Sequence, residues 1–199
     1  MLRNDERSYG LVAILFHWVM AALFLVQLPL GYLTQSFEDQ AAVQIDLYWW
    51  HRSIGLLILG LSALRIAWVL SGRNPALPVS VAASERSAAK WAHVALYLAT
   101  LLVPLTGWAV VSTTAPVVAT RAFGLVTVPP LPLEPSNLAS AYWSSGHAFL
   151  AYAAGFVAAV HILAALRHHF TLRDDVMMRM IRAGGRGDGE ARDRARLPR

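Results

Sequence analysis

Four long apolar segments constrain the fold of this chain more than any other feature of its sequence. They cover about residues 11–33, 50–70, 91–112 and 145–166. Each is close to the roughly 20 apolar residues that a helix needs to cross a bilayer. Charged residues make up only 15% of the 199 positions, against about a quarter in an average soluble domain. The sequence therefore predicts an all-α membrane protein, a four-transmembrane-helix bundle, and excludes an ordinary soluble enzyme.

The distribution of Lys and Arg predicts how these helices are oriented. Basic residues lie before the first span, between the second and third spans, and after the fourth. The segment between the first two spans instead carries Glu38, Asp39 and Asp46. Because Lys and Arg accumulate on the cytoplasmic side, both termini are predicted to be cytoplasmic. The net charge of +5 is then accounted for by membrane topology. We expect the lipid bilayer as a partner and no nucleic acid.

The chain divides into a membrane domain and a tail. Residues 1–182 form the predicted four-helix domain, and its Pro-rich outer loop, residues 113–143, is expected to pack as a lid over the mouth of the bundle. Residues 183–199 are rich in Gly and Arg and contain few apolar residues. That composition is typical of a disordered segment, so we expect a disordered basic cytoplasmic tail.

Histidines at membrane depth are the candidate functional residues, because an ionisable side chain inside a bilayer is costly unless it has a partner or a function. His147 and His161 are 14 residues apart, which places them on one helix face about 21 Å apart along the axis. Estimated depths pair His17 with His161 near the cytoplasmic side and His51 with His147 near the outer side. Two pairs at different depths indicate two stacked cofactors.

The surroundings of these histidines favour haem over other metal centres. The chain has no cysteine, and the four predicted spans contain no Asp or Glu, whereas zinc sites usually add such ligands. Haem needs two axial ligands and an apolar slot, and the small residue Gly55 lies one turn after His51. Arg65 is predicted to face a haem propionate or, alternatively, to extend to the lipid headgroups.

Two histidines on one iron leave no position for a substrate, so the predicted role is outer-sphere electron transfer. We predict metal ligands but no catalytic residue.

An ordered set of short motifs runs through residues 9–180. The motifs are His17-Trp18, His51-Arg52-Ser53-Ile54-Gly55, Arg65, Ala92-His93, Pro104-Leu105-Thr106-Gly107-Trp108, Phe123-Gly124-Leu125, Pro129-Pro130, Gly146-His147, His161 and His168-His169-Phe170. As a set they resemble the bacterial cytochrome b561 family of four-helix, dihaem b-type cytochromes. The resemblance implies a multi-pass protein of the bacterial inner membrane with two non-covalent haems b, whose ligands match His17, His51, His147 and His161.

The resemblance also implies exchange of electrons with the quinone pool. Members of the family commonly use ubiquinone, and one oxidises superoxide at the outer face while it reduces quinone. His168 and His93 are predicted to line a quinone pocket at the cytoplasmic end, where a histidine can bind a quinone oxygen or relay its proton. His168 and His169 could instead only occupy the favourable C-terminal end of a helix. His93 is predicted to lie shallower than His161 and is ranked below it as a ligand.

The outer electron partner is open at this point. The acidic first outer segment disfavours superoxide, which is an anion, and fits a positively charged periplasmic c-type cytochrome better. A second class of function is the cytochrome b anchor subunit of a larger redox complex such as a hydrogenase. A third hypothesis is a haem-free membrane protein with histidines in its core. Zinc transport is a fourth, and the sequence supports it less than the other three.

Overall fold

Four long helices account for most of the chain. The computed structural model describes residues 2–4, 8–37, 39–72, 75 and 82–183. The helices are α1 (Leu11–Leu33), α2 (Ala41–Leu70), α3 (Ala83–Thr113) and α4 (Asn137–Arg167). Each is long and apolar enough to cross a membrane, which confirms the predicted all-α membrane bundle. Two predicted features lie outside the described residues, namely Glu38 and the tail beyond Ala183.

Three helices begin earlier than the apolar segments predict. α2 begins at Ala41 rather than near residue 50, and α3 and α4 begin about eight residues early at Ala83 and Asn137. Helices of 30 or 31 residues span roughly 45 Å, more than the roughly 30 Å of bilayer hydrocarbon. Their first turns therefore extend beyond the hydrocarbon, where polar residues are tolerated and a hydropathy pattern ends before the helix does.

Neighbouring helices are joined by polar side chains as well as by apolar packing. α1 packs on α2, α2 on α3, and α3 most extensively on α4. Gln27 Nε2 donates a hydrogen bond to the His51 carbonyl at 2.8 Å, and Ser62 Oγ donates to the Thr100 carbonyl at 2.9 Å. Such bonds between helices help to hold a bundle together in lipid. We call the end where α1 stops and α2 starts the outer end, and the opposite end the inner end.

The connection between α3 and α4 packs on the outer end. It contains a two-stranded antiparallel hairpin, β1 (Thr120–Ala122) and β2 (Val126–Val128), which the all-α prediction did not include. Phe123 N–H donates to Ser53 Oγ at 3.0 Å, and Leu131 N–H donates to Ser112 Oγ at 2.9 Å. Both serines are fully buried. They pair backbone groups that would otherwise be costly to bury, and so hold the hairpin against α2 and α3.

The chain folds back at the inner end after α4. One π-helical turn, His168–Leu172, follows the helix, and Arg173 reverses the chain in the left-handed conformation with φ of 54°. Residues 174–182, which we call the inner strap, then reach α1, where Trp18 Nε1 donates to the Met180 carbonyl at 2.7 Å. The strap ties the C-terminal end of the described chain to the first helix.

Candidate functional site

The rings of His51 and His147 lie close together near the outer end, nearly perpendicular to each other. Their centroids are 6.0 Å apart. His51 follows the first residue of α2 by ten positions, and His147 follows the first residue of α4 by the same number. Each histidine therefore lies about 15 Å along its helix from the first residue. Because α2 and α4 both begin at the outer end, the two histidines lie at a similar height in the bundle. The structure thus brings together the outer pair predicted from sequence.

The inner pair has nearly the same geometry, because the centroids of His17 and His161 are 6.2 Å apart. An imidazole nitrogen lies about 2.0–2.1 Å from a bound metal ion and about 1 Å from its ring centre, so two rings across one ion have centres roughly 6 Å apart. Both pairs fit that arrangement. In the described ranges, no three His, Asp or Glu side chains converge on a metal-sized site. Two imidazoles without a carboxylate suit the axial positions of a haem iron.

The orientation of the His147 ring is set by α3. Its Nδ1 lies 3.0 Å from the Val103 carbonyl and 3.1 Å from Thr106 Oγ1, and Thr106 Oγ1 donates to the same carbonyl at 2.7 Å. A carbonyl oxygen can only accept, so the ring proton lies on Nδ1. Nε2 is then the nitrogen that is available to a metal, the usual outcome of such an outer hydrogen bond.

His51 is held differently. Gln27 binds its backbone carbonyl, but within the described part of the chain the buried His51 Nδ1 and Gln27 Oε1 have no hydrogen-bond partner. A buried polar atom without a partner costs about 1–3 kcal/mol. Unpaired polar atoms on His51 and Gln27 are consistent with a site that binds a further group, such as a cofactor.

Glycines on neighbouring helices leave room for both outer rings. A cavity of about 240 Å³ reaches both rings and is lined in part by Gly31, Gly55 and Gly107. A Cβ atom at Gly31 would lie 2.9 Å from His51 Cε1, and one at Gly107 would lie 3.0 Å from His147 Cε1. Each ring therefore rests against a bare stretch of helix backbone. A Cβ atom at Gly55, the glycine predicted from sequence, would instead meet Gln27 Nε2 at 3.4 Å.

The ring of His93 lies next to the predicted inner pair. Its ring centroid is 5.3 Å from that of His161, and the two rings meet edge to face with an interplanar angle of 68°. α3 begins at Ala83, which places His93 ten residues along that helix, and the expectation that His93 lies shallower in the bilayer than His161 stays a prediction. The rings of His17, His93 and His161 therefore form one cluster, in which His161 contacts the other two.

Arg65 lies near the inner histidines, and Tyr9 lies within electrostatic range of Arg65. The Arg65 guanidinium stacks over the Tyr97 ring at 4.9 Å and is within electrostatic range of His17, His93 and His161. Of the two predicted surroundings of Arg65, this position supports the inner site rather than the lipid headgroups. Tyr9 precedes α1, and burial raises the pKa of its hydroxyl, an effect that Arg179 and Arg65 oppose.

His168 is buried at the end of α4, where its Nδ1 lies 2.5 Å from Asp174 Oδ2. Within the described residues its ring does not contact that of His93, its predicted companion.

Asp174 was not identified from the sequence, because this residue lies in a polar segment without a repeating pattern. Gly31 and Gly107 could have been identified from the sequence. A glycine inside a helical pattern is unfavourable, and it therefore usually indicates close packing at that position.

Comparisons with known proteins cover almost the whole chain. A model of the family described as prokaryotic cytochrome b561 matches residues 8–183. The chain is 28% identical over 183 residues to cytochrome b561 homolog 2 of Escherichia coli (strain K12), covering 89% of this chain and 93% of that protein. It is 27% identical over 180 residues to the probable superoxide oxidase CybB of Yersinia pestis, covering 88% and 97%. These matches confirm the resemblance inferred from the sequence motifs.

Proposed function

The chain belongs to the prokaryotic cytochrome b561 family, and on that premise we propose that it carries electrons across the bacterial inner membrane by way of two stacked b-type haems. Membership makes it a multi-pass membrane protein of transmembrane electron transfer that uses b-type haem. We assign one haem to His51 and His147 and the other to His17 and His161. The observation that carries this assignment is the pair of adjacent histidines at each end of the bundle, with centroids 6.0 and 6.2 Å apart.

The residues around each pair have distinct tasks in this proposal. A haem held by two imidazoles supplies a one-electron redox centre without an open coordination position. The Val103 carbonyl keeps the proton on His147 Nδ1, so that Nε2 remains a ligand. The hairpin that is bonded to Ser53 covers the outer site and limits the access of water. The Arg65 guanidinium provides a positive charge for a haem carboxylate at the inner site.

We place exchange with ubiquinone at the inner end, in a pocket that includes His168 and His93. A buried histidine can bind a quinone oxygen and pass a proton to it. His168 suits this task because it is buried at the end of the helix that carries His161. Electrons then pass between the inner-end quinone and a partner on the periplasmic side.

The haem content per polypeptide of the purified protein tests the assignment. We expect two b-type haems and a low-spin reduced-minus-oxidised visible spectrum, because each histidine pair fills both axial positions. One haem per chain would contradict the two-site assignment, and a protein that binds none after expression with ample haem would refute the proposed function.

Two outer partners follow from different observations. The relative in Yersinia pestis named a probable superoxide oxidase suggests superoxide, and the cationic Arg52 is among the residues that line the cavity at His51 and His147. The described carboxylates Asp39 and Asp46 are exposed at the same end and attract a cationic donor such as a c-type cytochrome. We favour the cationic donor, because superoxide is an anion and these carboxylates repel it.

Rates of haem reduction at different ionic strengths separate the two partners. We expect reduction by a cationic c-type cytochrome to be the faster reaction at low salt and to slow as salt is added, because salt screens the attraction. Asp46→Asn should reduce that rate and leave the haem spectrum unchanged. A superoxide reaction that is faster, and that also slows with added salt, would identify superoxide as the partner.

A further inference from the structure

A histidine–carboxylate pair lies at the inner end of the bundle, outside both haem-ligand pairs. His168 Nδ1 and Asp174 Oδ2 are 2.5 Å apart, and the exposed fractions of the two side chains are 11% and 24%. A short hydrogen bond between an imidazole and a partly buried carboxylate is a strong interaction.

The backbone after α4 is arranged to bring Asp174 to this position. The left-handed conformation of Arg173 turns the chain, and Asp174 N–H donates to the His168 carbonyl at 3.2 Å. The second carboxylate oxygen, Oδ1, accepts from Val176 N–H at 3.1 Å. The inner strap is tied to α1 through Trp18. Asp174 is therefore fixed from both sides, with one oxygen used by the backbone and the other by His168.

We propose that Asp174 is a positioning residue that holds the His168 ring, with a proton on Nδ1, for proton exchange with quinone through Nε2. This inference rests on the proposed exchange with quinone at the inner end. A carboxylate bound to one ring nitrogen fixes which nitrogen faces the substrate and stabilises the positive charge of the doubly protonated ring. Asp174 acts through His168 and does not itself touch the quinone.

A quinone becomes a quinol when it takes up two electrons, which arrive one at a time from the outer-face donor, and two protons. One proton leaves His168 Nε2 as a new O–H bond forms on one quinone oxygen, and the ring keeps the proton on Nδ1 that Asp174 accepts as a hydrogen bond. Water supplies the proton for the other oxygen and restores the proton on Nε2. Every transfer reverses when a quinol is oxidised.

The test uses the purified protein with its haem bound and a short-chain ubiquinol as the reductant. We compare wild type with Asp174→Asn, Asp174→Glu, His168→Gln and the double variant H168Q/D174N. Asp175→Asn is the matched control, because Asp175 is the adjacent carboxylate and is exposed. The readouts are the haem reduction rate at saturating quinol, the half-saturating quinol concentration, the solvent deuterium isotope effect and the haem content.

Asp174→Asn should lower the saturating rate by about 10- to 100-fold, the usual range for loss of an orienting partner, and should increase the solvent isotope effect. The half-saturating concentration and haem content should stay near wild type, because the quinone contact is made by His168. Asp174→Glu should recover part of the rate, and Asp175→Asn should match wild type. In the double variant the loss of Asp174 should add nothing to the loss of His168, as expected for residues that act as one unit.

A wild-type rate in Asp174→Asn, or losses that multiply in the double variant, would overturn the inference. If Asp174→Asn does not retain haem, Asp174→Glu serves as the test, and a wild-type rate and isotope effect in that variant would overturn it equally. If ubiquinol does not reduce the wild-type haem, the proposed quinone exchange itself fails. The two failures are therefore distinguishable.

Discussion

His147→Ala is expected to remove one of two haems and leave the other bound. The substitution deletes the imidazole whose Nδ1 is fixed by the Val103 carbonyl and whose ring lies 6.0 Å from that of His51. A single histidine then remains at the outer site, while His17 and His161 keep their 6.2 Å separation at the inner end. The haem content should fall from two to one per polypeptide, and His161→Ala should give the same number by loss of the inner haem.

Redox titration of the visible spectrum identifies which haem each variant has lost. The component that remains in His147→Ala should be the one that is missing in His161→Ala. His169→Ala is the control for replacement of a histidine outside the pairs and should keep both haems. His93→Ala should also keep both, although its ring is only 5.3 Å from His161. A protein that loses the inner haem in His93→Ala and retains it in His17→Ala would move the ligand assignment from His17 to His93.

The pairing of histidines could be predicted from sequence because helices in a bilayer follow few rules. A span must be a helix with a fixed rise per residue, so the distance of a residue from the end of its apolar segment estimates its depth. That estimate matched His17 with His161 and His51 with His147, whose rings lie close together. It did not indicate that the ring of His93 also contacts that of His161, because a depth estimate does not say which side chains of neighbouring helices meet.

The contacts that orient the ligands could not be predicted in the same way. Thr106 and Val103 reach His147 from another helix, and the relative rotation of two helices is set by packing along their whole length. Asp174 reaches His168 only because Arg173 adopts a left-handed conformation, which is uncommon for a residue with a side chain. A hydrophobic pattern carries no information about either feature.

Alanine at Gly31 or Gly107 is expected to weaken binding of the outer haem by about 10- to 100-fold. The new Cβ atom would lie 2.9 Å from His51 Cε1 or 3.0 Å from His147 Cε1, closer than carbon atoms pack, so the ring must move away from the helix that supports it. Overpacking of this kind costs about 1–3 kcal/mol, and about 1.4 kcal/mol corresponds to a tenfold change in affinity. Valine at either position should cost more because it is larger.

Two glycines in the helices that carry His51 and His147 provide matched controls. Gly60 lies on α2 and Gly146 lies next to His147 on α4, and a Cβ atom at either would meet nothing within 4 Å. Gly60→Ala and Gly146→Ala should keep both haems and raise thermal stability, because alanine favours a helix over glycine by about 1 kcal/mol. Haem retention during dilution and challenge with a haem-binding apoprotein measures the affinity. The inner haem should dissociate at the wild-type rate in all four variants, because its histidines lie at the other end of the bundle. Wild-type retention of the outer haem in both Gly31→Ala and Gly107→Ala would mean that the two rings do not hold a rigid group between them, and the outer ligand assignment would fail with it.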